Sequence, residues 1–347
     1  MAGLIFAAMK PFLKQVADHY YLQGDIQSRC FVFPNRRSMV FFRKHLADAV
    51  AAENVSGREV SPVLMPQMYT INDLFYRLSG LVPSDRVQID RVAQLLELYE
   101  CYRGLNPNAE PLDEFIFWGD VILGDFNDVD KYMVDPSQIF ANVADYKALQ
   151  DTFSYLTDRQ RKAIEGFVSH FNDMSGKLTV DIGSENVKSR FLQIWNILYP
   201  LYRKFNHVLS VKGTAYEGGV YRALAEKFTG NAAVDTLSGI FRDDVRFVFV
   251  GLNALNECEK TVLRKLRDAG IAEFCWDWPG DMIRDPQNKS SFFMSSNVEE
   301  FPQSVILDTD GVSVPEVNVV SVASSVGQTK RLPDILRQVE DYRDCAV

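Results

Sequence analysis

The sequence predicts an α/β protein in which a parallel-sheet domain, built from two separated segments, is interrupted by a large all-helical insertion. Phe31-Val32-Phe33 and Phe247 to Val250 are continuous apolar runs, the habit of strands covered by helices on both faces. Each run is followed by a break and then by a helical stripe, which makes a β-loop-α unit. Between about residues 85 and 240 the strand signature disappears and helical periodicity alone remains.

In chain order, Leu4 to Ala8 reads as a first short strand. A helix follows, with Pro11 in its opening turn, Leu13, Val16, Ala17 and Tyr20 on its inner face, and Gly24 past its end. This is how a nucleotide-binding α/β domain begins, yet no GxxxxGK[ST] loop occurs in the sequence, and Met9 and Pro11 flank Lys10, the one lysine in place. The strand at Phe31 is broken by Pro34 and Asn35. Ser38 is the expected cap of the next helix, whose inner face carries Met39, Phe42, Leu46 and Ala49. Asn35, Arg36 and Arg37 therefore lie at the carboxyl end of a buried strand, beside a helix N-terminus. Open α/β sheets bind ligands at that end, and a helix N-terminus favours an anion such as a phosphate. From Arg29 to Leu46 there are five Arg or Lys residues and no acid. The competing reading of that run is an ordinary solvated turn.

Asn54 to Pro66 is a polar loop leading into MPQMYTINDLFYRLSG. There Thr70, with Asp73 three residues on, resembles a capping box, and Ile71, Leu74, Phe75 and Leu78 form a helical stripe. This second strand-end helix N-terminus is expected beside Arg36. The helical region then shows three stripes: Ile89, Val92, Ala93, Leu96 and Tyr99; Ile164, Phe167, Val168, Phe171 and Met174, capped by Thr157; and Phe191 to Leu209, interrupted by Pro200. Asp120, Asp125, Asp128, Asp130 and Asp135 cluster near its centre, but their spacing fits no EF-hand, and a solvated helix end accounts for them. Thr214 to Leu224 reads as a glycine-containing turn feeding another helix. The α/β pattern returns at Val245 to Val250, with a turn at Gly251, Asn256 and Glu259 as a helix cap, Leu263 and Leu266 on the helix, and a strand from Ile271 to Trp276. A polar stretch from Asp281 to Pro315 precedes one more strand and helix. The sequence stops at Val347 inside an apparent further strand, so a longer parent protein is expected.

Composition narrows the function. With a net charge of -9, the chain does not coat nucleic acid through its overall charge, which leaves a local basic site on an acidic body. No apolar run approaches the ~20 residues that span a bilayer, so a cytoplasmic protein with no membrane contact is expected. Five scattered cysteines without a CxxC pair read as buried reduced thiols, and four histidines without ligand spacing give no zinc site. No catalytic residue, metal site or cofactor site is expected.

The segments VFPNRRSMVFF, MYTINDLF, FWGDVILGDFNDVDKY, AYEGGVYR, FVFVGLNALNECEKTVL and VASSVGQTK, in this order, resemble the N-terminal half of AddB-type proteins. These are the helicase-like subunits of bacterial recombination nucleases, and the version carried by Bacteroides-like bacteria is the most similar. The resemblance implies a P-loop-NTPase-like sheet domain of the helicase 1A type in residues 1–84 and 241–290, and a 1B-like helical insertion in 85–240. Residues 291–347 would then hold a linker and the truncated start of a 2A-like α/β domain. In working superfamily-one helicases, the segments matching Phe31 to Phe42 and Tyr69 to Phe75 line a single-stranded DNA path. That implies Asn35, Arg36, Arg37, Thr70 and Asn72 as DNA contacts. The strand matching Arg246 to Val250 would end in a magnesium-binding Asp-Glu pair, where this chain has Gly251 and Leu252. The expectation is thus a non-catalytic DNA-binding and scaffolding module that partners an AddA-like helicase-nuclease subunit. The family's PD-(D/E)XK nuclease would lie further downstream, and Asp145-Tyr146-Lys147, in a helical pattern, does not supply it. The alternative is a protein-interaction scaffold for a helicase partner that binds no DNA.

Overall fold

Four parallel strands form one sheet in the order β2-β1-β3-β4: β1 (Arg29–Phe33), β2 (Gln67–Thr70), β3 (Arg246–Val250) and β4 (Ala272–Cys275). The two segments that the sequence separates by more than 150 residues thus share a sheet, because β1 sits between β2 and β3. The computed structural model describes residues 10–55, 64–80, 89–107, 109–145, 185–230, 237, 240–278, 289–307 and 319–337. The strand expected at Leu4 to Ala8, the stripe from Ile164 to Met174 with its Thr157 cap, Tyr146 and Lys147, and the strand expected near Val347 lie outside these residues.

Alternation along the strands builds two cores. Phe31, Phe33, Val248, Val250 and Cys275 face α1 (Phe12–Gln23) and α2 (Arg36–Val55), burying Val16, Ala17, Tyr20, Phe42 and Leu46. Cys30, Val32, Phe247, Phe249 and Phe274 face α3 (Ile71–Ser79) and two helices from later in the chain. With both faces covered, the strands read as unbroken apolar runs, as a parallel sheet requires. α1 begins after Pro11 and ends at Gly24, which adopts the left-handed conformation (φ 81°) that a residue with a Cβ resists.

Between β2 and β3 the described residues form α4 (Arg91–Arg103), α5 (Leu112–Lys131), α6 (Pro136–Asp145), α7 (Glu185–Val211) and α8 (Glu217–Thr229). A third core joins Leu98, Phe115, Phe126, Leu201 and Phe205. The stripe predicted on α4 is rotated: Val92 is 68% and Leu96 46% exposed, whereas Gln94, Leu98, Cys101 and Tyr102 are buried. α4 is apolar over most of its circumference, so periodicity cannot choose a face and packing against α5 does. α8 departs from its expected place in the insertion. Its Tyr221, Leu224, Ala225 and Phe228 join the sheet core beside α3 and α9 (Glu257–Asp268). Gly218 and Gly219 lie inside α8 rather than in a turn. The reason is a close helix crossing: a Cβ on Gly218 would stand 2.7 Å from the Asn127 carbonyl oxygen on α5.

Asn256 and Glu259 form the expected capping box at the start of α9. The polar stretch after β4 holds an unpredicted helix, α10 (Phe292–Glu300). After it the chain runs along the edge of the sheet, where the Ser304 N–H donates to the Phe274 carbonyl at 2.8 Å and the Ser304 hydroxyl accepts from the Phe274 N–H at 2.8 Å. Phe301 and Val305 are buried there, which covers the outer edge of β4. The chain divides into two compact units, 1–309 and 310–347. In the second unit, α11 (Ser325–Leu336) is capped by Ser324. Val319 to Val322, expected as a strand, form none, and no neighbouring strand in that unit's described residues offers the hydrogen bonds a strand needs. Among the described residues no helix is long and apolar enough to cross a membrane.

Candidate nucleic-acid interface

The carboxyl edge of the sheet brings the ends of β1 and β2 side by side, with Phe33 abreast of Thr70. Asn35, not Ser38, caps α2: its side-chain oxygen accepts from the Ser38 N–H at 3.0 Å and the Ser38 hydroxyl at 3.2 Å. Asparagine is among the best residues for this position. The helix therefore starts three residues earlier than expected, and Arg36 and Arg37 fall in its first turn. There the backbone dipole disfavours a cation by about 0.3–1 kcal/mol each at low salt. Both arginines are exposed, and the Arg36 side chain is 82% accessible.

Thr70 caps α3, its hydroxyl accepting from the Asp73 N–H at 3.1 Å. The side chain of Thr70 is buried, so its first role is to end the strand and start the helix. Asn72 is exposed, but its side-chain oxygen accepts a hydrogen bond from the Tyr221 hydroxyl, which ties α3 to α8. The structure thus brings Arg36 next to the second helix start, as expected, and the neighbour it meets is an acid: its guanidinium lies 3.9 Å from an Asp73 carboxylate oxygen. An exposed pair at that distance contributes about 0–1 kcal/mol and leaves the arginine open to a competing anion.

The basic run from Arg29 to Leu46 separates into two groups. Arg29 is buried at the opposite, amino end of the sheet, paired with Asp25 at 3.1 Å and with Glu273, so it is structural. Arg43 and Lys44 are exposed further along α2. Val40 and Phe41 are exposed between them and the first turn. At the end of β3, Gly251 turns with φ 65° and Leu252 is buried in the apolar core. The turn after β3 is therefore apolar in this chain.

The aspartate cluster also resolves into separate roles. Asp120 pairs with Arg91 at 2.7 Å, and Asp135 caps α6, its carboxyl held below the usual range by the Ser137 hydrogen bonds. Asp130, expected in solvent, is 1% exposed. It accepts from the Tyr202 hydroxyl at 2.6 Å, from the Tyr216 hydroxyl, and from Arg222 at 3.3 Å. Burial raises its pKa, against the pull of those donors. This network locks α5, α7 and α8 together, a demand that sequence spacing does not reveal. Among the described residues no group of three or more His, Cys, Asp or Glu side chains is arranged to hold a metal ion. Cys30, Cys101, Cys258 and Cys275 are buried free thiols.

Searches against protein-family models and curated proteins find no match for this chain.

Proposed function

We propose that the chain is a non-catalytic, helicase-like module of an AddB-type recombination nuclease, binding single-stranded or duplex-end DNA and scaffolding a nuclease domain carried elsewhere in the parent protein. The observation that carries the reading is the pair of exposed arginines in the first turn of α2, at the carboxyl edge of a parallel sheet. Neither caps a helix or is buried, and their position opposes the helix dipole. A phosphate beside them would meet two cations and the free N–H groups of the helix start. On this reading the sheet with α1, α2, α3 and α9 is the 1A-like core, and α4 to α7 are the 1B-like insertion. ATP hydrolysis is left out of the proposal because the sequence lacks a Walker loop and has Gly251-Leu252 in place of an acidic pair.

The test is equilibrium binding of single-stranded and tailed duplex DNA across a salt series, with wild type and with Arg36 and Arg37 both changed to Ala. On single strands each lost phosphate contact lowers the salt slope by about 0.7, so the double variant should bind more weakly with a slope flatter by roughly 1.4. Unchanged affinity, with a melting temperature several degrees lower, would assign the arginines to the scaffold and refute the reading.

One observation favours the alternative of a protein scaffold. Ile116, Phe117 and Val121 are exposed along α5, an apolar face of the kind that partner proteins cover. On that reading an AddA-like subunit docks on the helical region and α2 is not used.

A further inference from the structure

Resting on the protein-scaffold reading of α5, we propose that the outer groove between α4 and α5 takes an amphipathic helix of a partner protein whose polar flanks are basic. The two helices run antiparallel in close contact. Arg91 donates to Asp120 at 2.7 Å, the Tyr99 ring packs on Phe115 with centroids 5.0 Å apart, and a Cβ on Gly119 would stand 2.9 Å from Leu95. The inner side of the pair is filled, with Leu98, Phe115 and Phe126 packed against Leu201 and Phe205 of α7. On the outer side four large apolar residues stay exposed: Val92 and Leu96 on α4, Ile116 and Phe117 on α5. At 100° per residue, Val92 and Leu96 lie on the flank of α4 beyond Tyr99, away from Leu98 and Cys101, and Ile116 and Phe117 lie on the matching flank of α5. The register that sets Leu95 by Gly119 puts Leu96 level with Phe117 across the groove.

The charge around this groove selects the occupant. Asp113, Glu114 and Asp128 are exposed on the outward side of α5 and form no ion pair among the described residues, whereas Arg91 and Arg103 on α4 are already paired with Asp120 and Glu100. Asp128 lies in the last turn of α5, where the helix dipole disfavours a carboxylate, and Lys131, the cation of that turn, is taken by Glu217 at 3.0 Å. Nucleic acid would be repelled here, and in a twofold contact with a second copy these carboxylates would face one another. A helix with an apolar stripe fits between two helix axes, and Lys or Arg beside its stripe would meet the acids. From Asp113 to Asp128, α5 runs about 22 Å at 1.5 Å per residue, which a partner helix of about 15 residues covers.

The experiment follows, by fluorescence anisotropy at low and high salt, three labelled 18-residue peptides with leucine along one helical face and lysine, glutamine or glutamate elsewhere. The lysine peptide should bind wild type more tightly than the glutamine peptide at low salt, and the glutamate peptide should bind least. Changing Leu96 and Phe117 together to Gln, which keeps helix propensity, should weaken the lysine peptide by roughly tenfold or more. Changing Asp113 and Asp128 to Asn should weaken it about threefold at low salt and leave its high-salt affinity unchanged. Phe292→Gln, at an exposed aromatic residue on α10, should bind it as wild type. Circular dichroism melts check folding, since exposed substitutions change stability little. If the glutamine or glutamate peptide binds best and still loses affinity in the Leu96/Phe117 variant, the docking face stands and a basic occupant is overturned. If that variant binds every peptide as wild type, or Phe292→Gln weakens the lysine peptide equally, the scaffold reading of α5 fails and takes this inference with it. A wild-type dimer in sedimentation that the Leu96/Phe117 variant dissociates would make a second copy the occupant and overturn it as well.

Discussion

Replacing Glu259 with Gln should stabilise the protein above neutral pH and have little effect in acid. Glu259 occupies the third position of α9, where its carboxylate accepts from the Asn256 N–H at 2.9 Å, and the side chain is buried. Burial pushes its pKa up to about 7, against the lowering effects of that hydrogen bond and of Lys131. Lys131 is shared, because its ammonium lies 3.0 Å from Glu217, and the second carboxylate adds repulsion. The folded protein therefore holds a proton on Glu259 that the unfolded chain, with an ordinary carboxylate near 4.5, releases earlier. Stability from this group is complete below pH 4.5 and is lost as pH rises through about 7. At about 1.4 kcal/mol per unit, the loss is at most about 3 kcal/mol. A glutamine keeps the acceptor oxygen and the volume without the charge, so the variant should gain roughly 1–3 kcal/mol at pH 8 and almost nothing at pH 4.5. Urea unfolding of both proteins at the two pH values measures it. A variant less stable than wild type at pH 8 would show that the charge at the helix start outweighs burial, and would refute the reasoning.

On the nucleic-acid reading, changing Asp73 to Asn removes the only acid among the described residues that pairs with Arg36, and should raise affinity for single-stranded DNA by about twofold to fivefold at low salt, an exposed pair's worth. The gain should fade as salt is added, and a salt series of binding isotherms checks both. Changing Gly218 to Val should destabilise the protein by about 1–3 kcal/mol, because even a Cβ stands 2.7 Å from backbone oxygen on α5, and denaturant unfolding reads the loss directly.

What the sequence made legible is what local chemistry decides. The apolar runs at Phe31 and Phe247, the Gly24 stop, and the caps at Thr70 and Asn256 depend on residues a few positions apart, and each is found in place. Misplaced features depend on partners distant in sequence. α4 offers two apolar faces, and α5, across the loop, selects the one that buries Leu98. α8 lies near residue 220 yet packs on the sheet, because Tyr221 stacks on Phe75 with ring centroids 4.5 Å apart. Asp130 resembles its solvated neighbours until Tyr202, Tyr216 and Arg222 converge on it from two other helices. The basic run reads as one group in the sequence, which could not show that Arg29 faces the other end of the sheet. Nor could it show that Phe41 points outward while Phe42 points in.

That sorting of arginines is also the strongest argument for where function lies. Arg29 is buried between Asp25 and Glu273, and Arg222 reaches Asp130, Glu226 and the Val134 carbonyl. Arg264 pairs with Glu257 and Glu300. Each of these cations has a fold-related reason to be where it is, and removing one would leave a carboxylate short of a partner, at a cost that rises with burial. Arg37 has no such reason, and Arg36 has a weak one at 3.9 Å. Both sit at the end of a helix where cations are disfavoured, which a sequence selected only for stability would replace with Asp or Glu. Residues that work against the local physics of the fold are the ones to assign to something outside it. Here Arg37 shares an exposed face of α2 with Phe41 and Lys44, and both arginines lie at the edge of a sheet where parallel folds place their ligands.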